Sequence, residues 1–321
     1  MWFLMAMICL LGWGFADLFY KKSSDTADDY SHLKIAVWVG LVMGICAIAL
    51  LPFAESGFSV KSLLINALKY APASLCYIIS MVIGYAGLRY LELSIISPIQ
   101  NSSGALSAIA MIIWFVVRGN GAGITEEIGT LDIIATVIIV VGVASLAVVE
   151  KRIDRAGYTG EEKAIGKSAK ALIFPLLYCL FDTIGTAADG IILDEEEGLG
   201  LGEIDVIILY GLTFLIIGIA CWVIIYIREK QFYNPFAGKE LKTKAVAAVF
   251  EEFGQIFYVF AMAMNPVIAA PMISAYCIVS VVLSRVFIKE KLKASQYACV
   301  IAVIVGILML GISEGIGAAA E

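Results

Sequence analysis

Charged residues are scarce in this chain. Only 16% of its 321 residues are Asp, Glu, Lys or Arg, against about 25% in an ordinary soluble domain. Histidine occurs once, as His32 in a polar segment, so neither a buried Ser–His couple nor a His-built zinc site can be assembled. The seven cysteines (Cys9, Cys46, Cys76, Cys179, Cys221, Cys277 and Cys299) fall in seven different apolar stretches and form no C-x-x-C. They read as small apolar packing residues and report no redox compartment. No G-x-x-x-x-G-K-[ST] loop is present, which counts against a primary pump. The G-x-G-D of an intramembrane aspartyl protease is also missing. There is no basic run to suggest nucleic acid, the net charge being a modest −6, and no stretch is long enough for a soluble domain of typical size.

What fills the chain is apolar: 61% hydrophobic residues and a mean hydropathy of +0.94. A helix needs about 20 apolar residues to cross a bilayer. Ten such runs lie near 2–20, 34–53, 69–91, 94–117, 131–149, 171–193, 204–227, 243–264, 267–288 and 295–313. None alternates in polarity as a barrel strand would. The first run lacks a preceding positive segment, and Lys21 and Lys22 follow it, so Met1–Tyr20 reads as a retained helix rather than a signal peptide.

The second five runs look like a copy of the first five. Tyr85, Ile95, Pro98 and Ser107 recur as Tyr258, Ile268, Pro271 and Ser280; Ala16 and Asp17 recur as Ala188 and Asp189; Gly142 and Gly306 close the two halves. Five is odd, so the second copy must cross in the opposite sense. The expected fold is an all-α polytopic membrane protein of ten transmembrane helices, two inverted five-helix repeats around a central cavity. The halves are 1–149 and 171–321, joined by a polar linker at 150–170. Inverted repeats usually place a substrate site near the midplane between halves, which points to a carrier.

Basic residues are distributed unevenly. The segments after runs 1, 3, 5, 7 and 9 carry 19 of the 22 Lys and Arg, and the other side only Lys61, Lys69 and Arg118. The positive-inside rule then puts the odd-numbered loops and the linker in the cytoplasm of a plasma (inner) membrane protein, with both termini outside.

An ionisable group inside a span is costly and by default marks a functional site or a buried partner. The sixth run carries Asp182, Thr186 and Asp189 on one helical face, with Asp182 expected deepest; Asp189 and Asp17 sit nearer helix ends, within reach of water. The eighth carries Glu251, Gln255 and Tyr258 on one face. Glu252 is turned about 100° from Glu251, so one of the pair is expected to face an interfacial or cytoplasmic region. No Lys or Arg lies near the centre of a span, so Asp182 and Glu251 are candidates for proton coupling or for a cationic substrate; the plainer reading is hydrogen bonding between helices. Tyr77, Tyr85, Gln100, Asn101, Ser102, Ser103, Ser274 and Tyr276 are polar or amphipathic positions for a cavity wall, since four consecutive polar residues cannot all face lipid. Trp13 and Trp114 are either aromatic wall or interfacial anchors. Pro98 and Pro271 are interior prolines expected to bend their helices, and Asn265-Pro266 reads as a cap followed by a first-turn proline. Gly40 and Gly44 form a G-x-x-x-G for close packing, within the molecule or between copies.

Several of these segments resemble the drug/metabolite transporter superfamily, and particularly its EamA-like branch. They are Trp13-Gly14 in the first run, Gly87-Leu88-Arg89-Tyr90-Leu91 followed by Pro98, Ala261-Met262-Ala263-Met264-Asn265-Pro266 running on to Pro271, and Lys289-Glu290-Lys291-Leu292. The resemblance covers nearly the whole chain. It implies a central cavity walled largely by helices 1, 3, 4, 6, 8 and 9, and export or exchange of small metabolites. It also implies cytoplasmic termini, the reverse of the charge count. The expectation is a secondary transporter working by alternating access on an amino acid-like, nucleobase-like or cationic amphipathic solute. Proton coupling through Asp182 and Glu251 is an option. The partners would be substrate, protons and the bilayer, with no cofactor and no metal. A receptor or scaffold, and more remotely an intramembrane enzyme, are the alternatives.

Overall fold

A computed structural model describes the chain except at residues 26, 56–58, 92, 119–128, 158–170, 195–197, 289–293 and 321. The second half of the linker, most of the Asp194–Glu197 loop and the Lys289–Leu292 motif therefore lie outside the described residues. The described residues are helical, without strands. The helices are α1 (Trp2–Ser23), α2 (Ser31–Leu50), α3 (Val60–Gly87), α4 (Leu93–Gln100), α5 (Ser103–Arg118), α6 (Thr130–Gly157), α7 (Ile173–Ile192), α8 (Glu203–Glu229), α9 (Lys239–Met264), α10 (Pro266–Ser274), α11 (Tyr276–Leu283) and α12 (Ala294–Ala320). Eight segments are long and apolar enough to span a bilayer; α6 and α12 contribute the shorter apolar stretches Thr130–Leu146 and Ala294–Leu310 among the described residues. The all-helical, multi-pass membrane class expected from the apolar runs is what the chain adopts.

Two of the ten runs are broken in the middle. The fourth is α4 plus α5, and the ninth is α10 plus α11, each with its proline inside the short first piece. A proline in a helix interior removes one backbone hydrogen bond and crowds the preceding turn, so the helix bends or stops nearby. At the first break, the Asn101 side chain donates to the Ser97 carbonyl at 2.8 Å, a second bond to an oxygen that already accepts from the Asn101 backbone amide at 3.0 Å. Upstream of the second, Asn265 caps α10 by accepting from the Ile268 amide at 3.3 Å, with Pro266 in the first turn. The fifth run extends into the linker, since α6 continues to Gly157.

Helices from the two halves pack in pairs: α1 on α9, α2 on α8, α3 on α7, α5 on α10 and α6 on α12. Small residues set how close they come. A side chain at Gly40 would lie 2.5 Å from the Phe214 carbonyl oxygen and 2.9 Å from the Gly218 Cα. The G-x-x-x-G of α2 is thus used inside the molecule, against α8.

The charged ends of several helices meet at one end of the bundle. Lys34 bridges Asp28 at 2.9 Å and Glu229 at 3.3 Å, Arg89 pairs with Asp29 at 3.1 Å, and Lys21 donates to the carbonyls of Leu88 and Leu91. The segments after the first, third and seventh runs therefore share one end. At another point, the Glu55 amide donates to Asp205 at 3.0 Å, tying the segment after α2 to the start of α8.

Candidate functional site

The bends in the fourth and ninth runs keep backbone and polar side chains near the bundle axis, where an apolar core would otherwise close. A cavity of about 710 Å³, mouth included, opens there. Its wall is contributed by α1, α3, α7, α8 and α9 and by the broken fourth and ninth runs.

From α1 come Trp13, Asp17 and Tyr20. Trp13 is fixed by donating its indole N–H to the Glu251 carbonyl at 3.2 Å, and its ring lies 5.2 Å from that of Tyr258 and 5.7 Å from that of Tyr276. Asp17 accepts hydrogen bonds from Ser97 at 2.7 Å and from Ser280 at 2.8 Å, both to the same carboxyl oxygen. One acid of α1 thus ties together both broken runs. Tyr20 stacks at a tilt on Tyr85 of α3, ring centroids 4.8 Å apart, with the two hydroxyls at 3.4 Å.

From α7 come Tyr178, Asp182 and Thr186, one face of one helix. Asp182 accepts from Ser103 at 2.5 Å, so the last of the four polar residues Gln100–Ser103, the first residue of α5, spends its hydroxyl on this acid. Thr186 and Tyr77 join through their hydroxyls at 3.0 Å, and Tyr77 is bonded in turn to the Tyr258 hydroxyl. These three form a continuous hydroxyl cluster on the cavity wall. From α9, Glu251 lines the same space beside Tyr20, and it is 6% exposed. Gln100 and Asn101 of the first break and Ser274 and Tyr276 of the second complete the polar lining. Among the described residues no Lys, Arg or His lines the cavity.

Trp13, Tyr77, Tyr85, Gln100, Asn101, Asp182, Thr186, Glu251, Tyr258, Ser274 and Tyr276, all nominated from the sequence, stand on this wall. Gln255 does not: it is buried, with both amide atoms unpartnered, away from the cavity. Pro98 and Pro271 act from behind the wall, Pro271 lining a smaller pocket with Ser102 and Asn101. Trp114 is partly exposed with Arg118 over its ring at 4.8 Å, an anchor rather than a wall residue.

Three placements differ from the sequence reading. Asp17 faces the cavity although it sits near the end of its apolar run. Asp189 is fully buried rather than in reach of water; neither carboxyl oxygen completes a hydrogen bond, though Tyr70, Tyr77 and Tyr258 stand close by. Neither Glu251 nor Glu252 faces an interfacial or cytoplasmic region: both are buried, Glu252 at 7% exposure beside Cys46, because α2 packs over that side of α9. Tyr178 and Tyr210 also line the cavity and were not foreseen. Tyr178 lies four residues before Asp182, so helical spacing carried its signal; nothing marked Tyr210.

Residues 198–312 match the model of the EamA-like transporter family. That stretch of the chain is thus similar to a branch of the drug/metabolite transporter superfamily. The family is one of membrane transporters rather than enzymes. This EamA-like chain is also similar in fold to a crystal structure described only as that of a protein. The TM-score is 0.63 at 14% identity, covering 97% of this chain and 96% of the other. At that identity the likeness speaks for the fold alone. No curated protein matches the chain.

Proposed function

We propose that this protein is a secondary carrier that moves a small metabolite across the membrane by alternating access, with the cavity as its substrate site and protons coupled through Asp182 and Glu251. The observation that carries this reading is the cavity itself. It lies where helices of both halves meet, it is walled by both broken runs, and it holds acids that no neighbouring cation neutralises. Ionisable groups in such a position mark substrate paths and proton relays in membrane proteins.

The helix pairing supports a two-half design of residues 1–149 and 171–321. Exchanging each run with its counterpart five later turns the pair of first and eighth into that of sixth and third. It leaves the pairs of second with seventh, fourth with ninth and fifth with tenth unchanged, and all of these pairings occur. A two-fold relation of this kind suits a carrier whose halves rock about a fixed site. We place the protein in the plasma (inner) membrane, with substrate, protons and lipid as partners and no resident cofactor.

The test is uptake into proteoliposomes of a mixed panel of amino acids, nucleobases and organic cations, with and without an imposed pH gradient. Gradient-dependent accumulation of one class supports the proposal. Flux indifferent to the gradient removes the proton from it. Absence of flux from folded protein favours a receptor or scaffold.

A further inference from the structure

We propose that the cavity takes an organic cation with an aromatic or otherwise apolar body, a quaternary ammonium or a protonated amine, in preference to a zwitterion or an anion. This names a substrate class for the carrier just described and rests on that reading only where flux is concerned.

Three carboxyl side chains from three different helices, Asp17, Asp182 and Glu251, line one space that no Lys, Arg or His enters among the described residues. Lys21, one turn beyond Asp17, has its ammonium on the Leu88 and Leu91 carbonyls at 2.9 and 2.7 Å. Burying a carboxylate is costly unless a cation or several donors meet it. Here Asp182 and Asp17 meet only serine hydroxyls, each on a single carboxyl oxygen. A cationic ligand supplies the missing partner.

The rest of the wall suits the same ligand. Trp13 and a set of tyrosines present ring faces and edges, the environment in which ammonium groups bind by cation–π attraction. A ligand carboxylate, by contrast, would find hydroxyls and the side-chain amides of Gln100 and Asn101, with three acids facing it. A separate observation bears on what the ligand carries beside its charge. The Gln100 side chain lines the cavity at 6% exposure, with its amide nitrogen lacking any hydrogen-bond partner. One donor thus awaits an acceptor on whatever enters, such as a hydroxyl or carbonyl oxygen carried beside the cationic centre.

The experiment holds the body constant and varies the charge. Binding to the purified full-length protein in nanodiscs is measured by calorimetry for trimethyl(2-phenylethyl)ammonium, phenylalanine, 3-phenylpropionate and 3-phenylpropanamide. The expected result is that the ammonium binds at least about tenfold more tightly than each of the others. Asp182→Asn and Glu251→Gln should each weaken it by about tenfold. An unchanged melting curve is the folding control for those variants. Tighter or equal binding of phenylalanine or phenylpropionate overturns the proposal. So does failure of the wild-type protein to bind any of the four, or cation binding indifferent to both substitutions. Flux in proteoliposomes separates the two levels: phenylalanine transport without cation transport keeps the carrier and overturns the cation. Cation binding with no flux of any compound removes the carrier and leaves the ligand class standing.

Discussion

Asp182 is held by one short bond from Ser103 and otherwise faces open space, so its fold role and its charge role can be separated by a single substitution. Asparagine keeps an oxygen that accepts from the serine and removes the titratable group. Asp182→Asn is expected to leave the melting temperature within a few degrees of wild type and to abolish the pH dependence of uptake; an unchanged pH profile takes Asp182 out of the coupling scheme. Asp17 allows the complementary test. Its carboxyl oxygen links Ser97 to Ser280, and asparagine can maintain that link where alanine cannot. Asp17→Ala should destabilise by about 1–3 kcal/mol, the usual cost of orphaning buried polar partners, and Asp17→Asn by clearly less, measured by thermal or chemical unfolding in detergent. Equal losses would mean the serine bridge carries no weight. Most of the acids in the wall were legible in the sequence because an ionisable residue amid apolar ones has few innocent explanations. Asp17, Asp189 and Glu252 were misplaced because position along one helix says nothing of which neighbour covers it. Tyr210 was invisible because an aromatic residue in an apolar run carries no mark of which face is hollow.

At the scale of elements, the determining contacts are between backbones. Gly40 of α2 faces the Phe214 carbonyl and the Gly218 Cα of α8, atoms that cannot rotate aside, whereas a side chain at Gly44 would meet the side chain of Leu215. Gly40→Ala must therefore force α2 and α8 apart, an overpacking that typically costs about 1–3 kcal/mol. Gly44→Ala should cost somewhat less, because the Leu215 methyls can turn aside, although its Cβ, 2.7 Å away, yields only by a small shift of α8. Comparing the two melting temperatures checks this: a larger loss at Gly44 would mean that α2 and α8 meet most tightly there and not at Gly40. The breaks within the fourth and ninth runs were half legible. Pro98 and Pro271 announced a bend, but α5 and α11 begin at Ser103 and Tyr276, several residues later. A proline disturbs the turn before it, and where the chain regains helix depends on packing with other elements.

At the scale of the whole molecule, the prediction concerns orientation: the charge count places the termini outside, whereas the resemblance to the EamA-like branch implies the inside. The structure sharpens what is at stake. Lys21, Lys34, Arg89 and Glu229 meet at one end of the bundle, so the loops after the first, third and seventh runs must lie on the same side whichever side that is. The rule that cytoplasmic loops are rich in Lys and Arg then applies to that end as a unit, its three segments carrying nine basic residues, Lys21, Lys22, Lys34, Arg89, Arg228, Lys230, Lys239, Lys242 and Lys244. The cavity bears on the same question. Its lining includes Tyr20 and Leu88, beside Lys21 and Arg89 of the charged end, and reaches inward to Tyr77 and Thr186. Whichever compartment the charged end faces is therefore the side to which the cavity lies nearer. Cysteine substitutions at two exposed loop positions decide the matter: Leu199→Cys, between α7 and α8, and Gln231→Cys, just beyond α8. In intact cells a membrane-impermeant maleimide should label Leu199→Cys and should reach Gln231→Cys only after permeabilisation. The reverse pattern would place the charged end and the near side of the cavity outside. It would also mean that the basic residues at that end serve ion pairing among helices, as Lys34 and Arg89 do, rather than topogenesis.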